Sequence, residues 1–475
     1  MARKRPINAD LPAAPPVEEK PPAPAQETPA PKPGPTPAPP PAPAPSPAPK
    51  KADEPKSPPP SKPAKKRRKP IPGALKAIGG LVLIAVVFLV AAVLGGGGSN
   101  EPAEKPAPAP TPAAEAPPEE KQTPTAEAAE ELGYPAFATN NTTRVGGEDP
   151  ATTAAGVALA VFPSAKVAQR PAAVTLVDEG DWQGAVAATV LMSAPVRAPL
   201  LVTAGGDVPD PTSQALATLD PQGSSATDRA QAFVIGSAAS PDGLRTTAVK
   251  GDGSAGLAVA VAELRDELLG GKPAHVVIAP AGDPAFAMPA AAWAARSGDP
   301  VLFSGRDSLP PATARYLRRK KGVPVFVLGP SAAISSAVVR AIDKIGNPVR
   351  RVSGEDPVTN AIALARYASG DFGWNVNDPG HGFVVARSDE PLLGAISAPL
   401  SASGTWGPLL LTDDADTLPA PLRDYFLDIK PGYTTDPTRA FYNHVWVIGD
   451  QEAIDVNQQA EIDQLAELAK IGGEQ

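Results

Sequence analysis

The stretch VGGEDPATTA at residues 145–154 returns as VSGEDPVTNA at residues 352–361. A weaker copy, VKGDGSAGLA, covers residues 249–258, so the three copies start 104 and 103 residues apart. Similarity at a fixed period of this length is the signature of tandem structural modules. The chain is therefore predicted to contain three copies of one folding unit.

Three further features recur in the same order within each copy. An aliphatic run leads into an acidic turn and an Ala-rich helical pattern, and two more aliphatic runs follow it. These features occupy residues 174–188, 276–291 and 383–398, then 198–203, 299–304 and 407–412, and finally 232–237, 325–330 and 445–450. Continuous aliphatic runs alternating with helical patterns predict parallel sheets covered on both faces. We expect three tandem three-layer α/β modules, at 140–243, 244–346 and 347–475.

The first motif contains residues that favour a turn and a helix start. Asp149 and Asp356 each precede a proline, which predicts a capping carboxylate before the first helical position. Gly147, Gly251 and Gly354 are predicted to form the tight turn out of the preceding strand. A second set of glycines ends the last strand of each copy, where a sharp turn or phosphate binding at a helix N-terminus are the alternatives. That set is Gly236, Gly329 and Gly449, and it lacks the full G-x-G-x-x-G spacing.

Composition divides the chain into unlike parts. Of its 63 prolines, 25 lie in the first 70 residues, which predicts a disordered, extended tail over residues 1–76. Residues 1–70 contain 14 basic and 6 acidic residues, a net charge of +8, which leaves −16 for the remainder. The chain has no cysteine, which excludes disulfides and thiolate metal sites.

Residues 77–94 read AIGGLVLIAVVFLVAAVL, and four glycines extend this uncharged run to residue 98. A transmembrane helix at 77–98 is the favoured interpretation; a buried core helix and a cleaved signal peptide are the alternatives. The basic run at 65–69 precedes it, which places the N-terminus in the cytoplasm and the C-terminal domain outside the cell membrane. Read alone, that run would also suit nucleic acid, but beside a span the topological interpretation is preferred. Residues 99–139, rich in Pro and Glu, are predicted to form a linker.

Residues 142–450 resemble the type 2 cell-wall-binding repeat family of Gram-positive bacteria. That family has a motif R-x-x-G-x-D-R-x-x-T-A and a strand PLLLT. The matching residues here are Arg144, Gly147, Asp149, Thr153 and Ala154, then Arg351, Gly354, Asp356 and Ala361, with PLLVT at 199–203 and PLLLT at 408–412. The second Arg of the motif is replaced by Pro150 and Pro357.

The resemblance implies three modules in a pseudo-threefold arrangement and a domain that binds anionic wall polymer. Candidate ligand residues are the cations near the first motif, namely Arg144, Lys250, Arg350 and Arg351. A second basic cluster follows one predicted helix and comprises Arg315, Arg318, Arg319, Lys320 and Lys321. For each of these, a solvated surface cation is the alternative interpretation.

Motifs typical of enzymes are lacking in the sequence. It has no H-E-x-x-H, P-loop or nucleophile-elbow serine, and its histidines are His275, His381 and His444. The five tryptophans suit either a core or sugar stacking. We therefore expect no catalytic activity, metal or cofactor. The expected function is that of a membrane-anchored, actinobacterial-type protein that binds wall glycopolymer non-covalently. The alternative is an envelope scaffold that contacts other proteins.

Overall fold

The computed structural model describes residues 136–404 and 406–471, hereafter the repeat domain. The predicted tail at 1–76 and the apolar segment at 77–98 lie outside the described residues. So does the predicted linker, except for its last residues, of which Ala136–Ala138 form a strand. Within the repeat domain, no helix combines the length and the apolar character needed to cross a membrane.

Strands and helices alternate along the repeat domain. The strands are β1 (Ala136–Ala138), β2 (Thr142–Val145), β3 (Val174–Asp178), β4 (Leu200–Thr203), β5 (Ala232–Ile235), β6 (Thr246–Val249), β7 (Val276–Pro280), β8 (Val301–Ser304), β9 (Val325–Leu328), β10 (Val349–Val352), β11 (Gly382–Arg387), β12 (Leu409–Thr412), β13 (Gly432–Tyr433), β14 (His444–Ile448) and β15 (Ala469–Lys470). The helices are α1 (Pro150–Val161), α2 (Trp182–Ala188), α3 (Asp210–Leu219), α4 (Gly253–Leu268), α5 (Pro284–Ser297), α6 (Pro311–Arg319), α7 (Ser336–Ile345), α8 (Pro357–Arg366), α9 (Pro391–Ile396), α10 (Ala398–Ser401), α11 (Ala420–Asp428) and α12 (Val456–Ala466).

The main strands form three sheets with one common order. They are β4-β3-β5-β6, β8-β7-β9-β10 and β12-β11-β14-β2, with β1 added antiparallel to β2 at the edge of the third. All other pairs in these sheets are parallel. The strands β4, β7, β8, β9 and β12 are buried along their whole length, as expected when helices cover both faces. The α/β class with parallel sheets and repeated modules is confirmed.

Each sheet contains a strand from the neighbouring repeat. The leading strand of the second repeat, β6, pairs with β5, and the leading strand of the third repeat, β10, pairs with β9. The leading strand of the first repeat, β2, pairs with β14 at the end of the third. The sheets are therefore offset by one strand from the repeats seen in the sequence, and the exchange closes a cycle of three.

The three helices that follow the central strands pack against one another at the middle of this cycle. They are α2, α5 and α9, and each contacts the other two. Residues 287–295 of α5 are all buried, as are residues 392–396 of α9. A helix that is apolar on every side belongs in a protein interior. Gly394 allows the close approach of α9 and α5, because a Cβ atom there would lie 2.9 Å from Cβ of Met288.

Candidate ligand-binding groove

Arg144, a predicted ligand residue, is buried where β2 joins the third repeat. Its Nε donates to Oε1 of Gln459 at 2.9 Å, and its Nη2 donates to the carbonyl oxygen of Ile454 at 2.6 Å. Its Nη1 donates to the carbonyl oxygens of Gly449, at 3.0 Å, and Asp450. Burial lowers the pKa of Arg144. Arg144 is only 6% exposed, and its guanidinium holds the turn between β14 and α12, so the structure gives it a packing role in place of an exposed ligand contact.

Arg351 makes the equivalent contacts in the second sheet. Its Nη1 and Nη2 donate to the carbonyl oxygens of Gly329 and Ile334, at 2.5 and 2.6 Å. Gly329 and Ile334 stand in the turn between β9 and α7, as Gly449 and Ile454 do after β14. Arg351 is therefore a structural clamp as well, although it is only partly buried. Arg350 next to it is exposed, and its guanidinium donates to the hydroxyl of Ser369.

The glycines and aspartates of the first motif shape the start of each leading helix. Asp149 caps α1 by accepting from the backbone N–H of Thr152 at 2.8 Å, and Asp356 caps α8 through Thr359 at the same distance. A Cβ atom at Gly354 would lie 2.3 Å from backbone atoms of the first turn of α8. The motif thus has a structural role at these positions. Gly147 and Gly251 are equally close to the first turns of α1 and α4.

Lys250 lies in a groove together with two cations of the basic cluster predicted around residues 315–321. The groove runs between α4 and α6 and has a volume of about 460 Å³. Lys250 is at one end, Arg315 and Arg319 are along α6, and small apolar residues of α4 form the floor. Sequence alone gave no reason to join Lys250 to a helix some 65 residues later, because only the packing of α4 against α6 brings them together.

Charge in this groove is mixed, with an excess of cations. Arg319 pairs with Glu263 across it, and Asp252 lies beside Lys250. Within the described residues, Lys250 and Arg315 form no ion pair, and both side chains are exposed. They can therefore bind an anionic group that enters from solvent, such as a phosphate or a carboxylate. Apolar contact would come from the floor of the groove.

The other predicted residues of the basic cluster do not line this groove. Lys320 pairs with Asp266 at 2.6 Å, and the aliphatic part of Lys321 lies against Gly346. Arg318 is exposed on α6. The structure thus places the predicted ligand residues at three sheets, and Arg144, Arg350 and Arg351 do not join Lys250 in one site.

A second crevice lies at the carboxyl ends of the strands in the third sheet. It has a volume of about 300 Å³ and contains Glu148, Glu390, Asp450 and Glu452 with one cation, Arg387. Burial raises the pKa of Glu390, and nearby Asp389 adds to this effect while Arg387 opposes it. A crevice with this excess of carboxylates repels an anionic polymer, so it is the weaker candidate.

The histidines occupy separate positions. His275 is in a buried network in which its Nδ1 lies 3.1 Å from Oδ2 of Asp299, and Trp293 donates to the same oxygen at 3.0 Å. His381 and His444 lie at the amino ends of β11 and β14. The tryptophan that is most open to solvent is Trp406, at 39%, with the guanidinium of Arg296 over its ring at 4.1 Å.

Acidification is expected to destabilise the repeat domain through His444. Burial lowers the pKa of His444 below 6.5, although nearby Asp463 opposes the shift. The folded protein then binds fewer protons than the unfolded chain, so the free energy of unfolding falls as the pH drops below about 6.5. Urea titrations at pH 7 and pH 5 should show a smaller difference for His444→Gln than for the wild type. Equal differences in the two proteins would contradict this role.

Comparison with known proteins bears on the fold. No protein-family model matches the sequence, and no curated protein sequence matches it. Among solved structures, Cwp6 from Clostridium difficile is similar over 69% of this chain and 48% of its own, with 19% identity and a TM-score of 0.54. Cwp8 from Clostridium difficile is similar over 72% of this chain and 54% of its own, with 20% identity and a TM-score of 0.53. The chain thus spans about half the length of each, and the likeness shows a shared fold of repeated α/β modules.

Proposed function

We propose that the protein is a membrane-anchored envelope protein whose repeat domain binds an anionic cell-wall glycopolymer non-covalently. The observation that carries this proposal is the groove between α4 and α6, where Lys250 and Arg315 are exposed and free of ion pairs within the described residues. The fold shared with Cwp6 and Cwp8 supports a location at the cell wall. The resemblance of the repeat motifs to the type 2 cell-wall-binding family supports the same location.

Binding in this proposal is weak at each site and strengthened by repetition along the polymer. Lys250 and Arg315 contact successive anionic groups, while the floor of α4 packs against the sugar backbone. Copies anchored in one membrane can bind the same polymer at several grooves, so avidity exceeds the affinity of one groove. The surrounding negative charge of the chain makes binding depend on these local cations and on ionic strength.

Anchoring in the proposal rests on the sequence of residues 77–98 and on the basic run before them. The apolar run is long enough for the hydrocarbon core of a bilayer, and the cations at 65–69 set its direction. The repeat domain then faces the wall, and residues 99–135 connect it to the membrane. The proposed role is binding and not catalysis, because the histidines are engaged in packing or lie apart from the groove.

Co-sedimentation with purified, deproteinised cell wall tests the polymer-binding role. We expect the full-length protein to sediment with the wall, and retention to disappear after the anionic polymers are removed with acid. The double substitution Lys250→Glu and Arg315→Glu should lower the affinity at least tenfold, about 1.4 kcal/mol, because it places like charges against the polymer.

The matched control is the double substitution Arg340→Glu and Lys344→Glu, which reverses the charge of two other exposed side chains, on α7. It changes the net charge by the same amount but leaves the groove intact, so its retention should stay close to that of the wild type. Equal losses in both double variants would show only non-specific attraction. Undiminished retention of the Lys250 and Arg315 variant would refute the groove as the binding site.

A further inference from the structure

The first repeat lacks a helix that the other two repeats contain. In the second repeat α7 follows β9, and in the third α12 follows β14. Residues 236–245, which follow β5 and are all described, contain turns and no helix before β6 begins. The difference leaves one face of the first module without the element that covers it in its two counterparts.

The strand β6 shows the effect on the sheet. Thr142 and Arg144 of β2, which lie beneath α12, are 0% and 6% exposed. Their counterparts in β6, Thr246 and Ala248, are exposed. The clamp arginine is also replaced there, since Ala248 stands where the other leading strands have Arg144 and Arg351. The loss of the arginine thus accompanies the loss of the helix that it would hold.

The helix α3, beside the sheet, also has a side chain that is more open to solvent than its counterpart in the second repeat. Thr212 and Thr313 donate to equivalent strand carbonyls, those of Val202 and Phe303, which aligns α3 with α6. In this alignment Leu216 corresponds to Leu317. Leu317 is 0% exposed in the repeat that contains α7, whereas Leu216 is partly open to solvent. The aliphatic side chain of Leu216 on α3 is therefore available for contact with a partner, whereas its counterpart on α6 is covered.

In the second and third repeats, the residue before α7 or α12 donates a hydrogen bond to the loop that follows β8 or β12. The loop after β4 in the first repeat, all of which is described, has no such bond. The backbone N–H of Ser335, before α7, donates to the carbonyl of Arg306 at 2.7 Å, and that of Asp455 donates to Ala415 at 2.9 Å. The corresponding position of the first repeat is Gly205. A Cβ atom at Gly205 or Gly206 would have no neighbouring heavy atom within 4 Å, so the space beside this loop is open.

Next to these features, between α3 and the loops that follow β4 and β5, lies a groove of about 600 Å³, which we call the open helix site. Its apolar surface comes from α3 and two loops, and includes Val208, Leu216, Ala217, Ala239 and Leu244. Carboxylates lie at its rim. Asp207 and Asp242 are exposed, and Asp220 is paired with Arg170. The rim is therefore negatively charged.

We propose that the open helix site binds an amphipathic helix of a partner protein. The occupant has about three turns, aliphatic residues spaced i and i+4, and basic residues beside them. The counterpart α7 defines the length and spacing, since its Val338 and Ile342 are 1% and 0% exposed. The negatively charged rim favours an occupant with basic residues beside its aliphatic ones. The sequence AEAAEEL at 126–132 of this chain is excluded as occupant, because it has the same sign as the rim.

A fluorescent peptide with the sequence of residues 335–346, SSAVVRAIDKIG, is the probe, since it belongs to a counterpart of the missing helix. We expect the full-length protein to bind it saturably in a fluorescence anisotropy titration. Leu216→Asp should weaken binding at least tenfold by placing a carboxylate in the apolar surface. Ala217→Trp should weaken it similarly by filling the groove, and because Ala217 is exposed this second variant should keep the fold.

Two controls give the experiment its specificity. A peptide with glutamate in place of Arg340 and Lys344 should bind at least tenfold more weakly, because the rim then repels it. The Lys250→Glu and Arg315→Glu variant should bind the original peptide as the wild type does, so failure of polymer binding leaves this test unaffected. No saturable binding, or binding unchanged by both Leu216→Asp and Ala217→Trp, would overturn the proposal.

Discussion

Replacing Arg144 by alanine is expected to lower the free energy of unfolding by about 3–5 kcal/mol. The substitution removes the donors to three backbone carbonyls and to Gln459, in a place that solvent hardly reaches. Each buried acceptor left without a donor costs about 1–3 kcal/mol. In sequence, β2 and the turn after β14 lie at opposite ends of the repeat domain. The substitution therefore weakens the contact that closes the cycle of three sheets. Urea denaturation monitored by tryptophan fluorescence measures this change in the free energy of unfolding.

Arg350→Ala is the matched control for this substitution. It removes an arginine from the equivalent region of another leading strand, but Arg350 is exposed and its contact is with the hydroxyl of Ser369. Its effect should stay within about 0.5 kcal/mol, as for most surface substitutions. Arg351→Ala should fall between the two, because that clamp is only partly buried. An Arg144→Ala protein as stable as Arg350→Ala would show that the clamp does not hold the cycle closed.

Gly354→Ala is expected to destabilise the protein by about 2–4 kcal/mol. The added Cβ atom would lie 2.3 Å from the backbone nitrogen of Asn360 and from the carbonyl carbon of Thr359. Backbone atoms of a helix cannot rotate away as a side chain can. The first turn of α8 must therefore move, which disturbs the cap formed by Asp356. Thermal unfolding monitored by circular dichroism should show a lower Tm.

Gly282→Ala provides the control at a similar place in the chain, one residue before the Asp-Pro pair that starts α5. A Cβ atom at Gly282 meets no heavy atom within 4 Å, and its backbone does not require positive φ. Alanine also restricts the unfolded chain more than glycine does, so the variant should be as stable as the wild type or slightly more stable. Equal destabilisation by both substitutions would mean that close packing at Gly354 is not the cause.

Sequence predicted the elements of this fold better than their assembly. Aliphatic runs such as VTLVD and LLVT predict buried strands, because a parallel sheet requires apolar residues on both faces. The same pattern cannot tell which sheet a leading strand joins. Nothing in the residues around β6 or β10 indicates that each pairs with the repeat before it, since the repeats are alike and every pairing would bury the same type of surface.

The site residues show the same limit. Arg144 was predicted as a ligand residue because a cation beside a motif suggests an anion, yet its partners are supplied by residues 449–459 at the far end of the chain. Lys250 and Arg315 were each predicted as candidates, but only the tertiary structure brings them to one groove. The open helix site depends on a missing element, which becomes visible only when the three modules are compared.

The pairing of β2 with β14 has a consequence for how the protein is made. A ribosome releases β2 about 300 residues before its partner. Until then the edge of β2 that pairs with β14, and the guanidinium of Arg144, have no native partners, whereas the first and second sheets find their strands within shorter stretches of chain. Contacts between distant parts of a chain form slowly. Closure of the third sheet should therefore be the last step of folding, and a chain cut short before β14 would leave β2 paired with β1 alone.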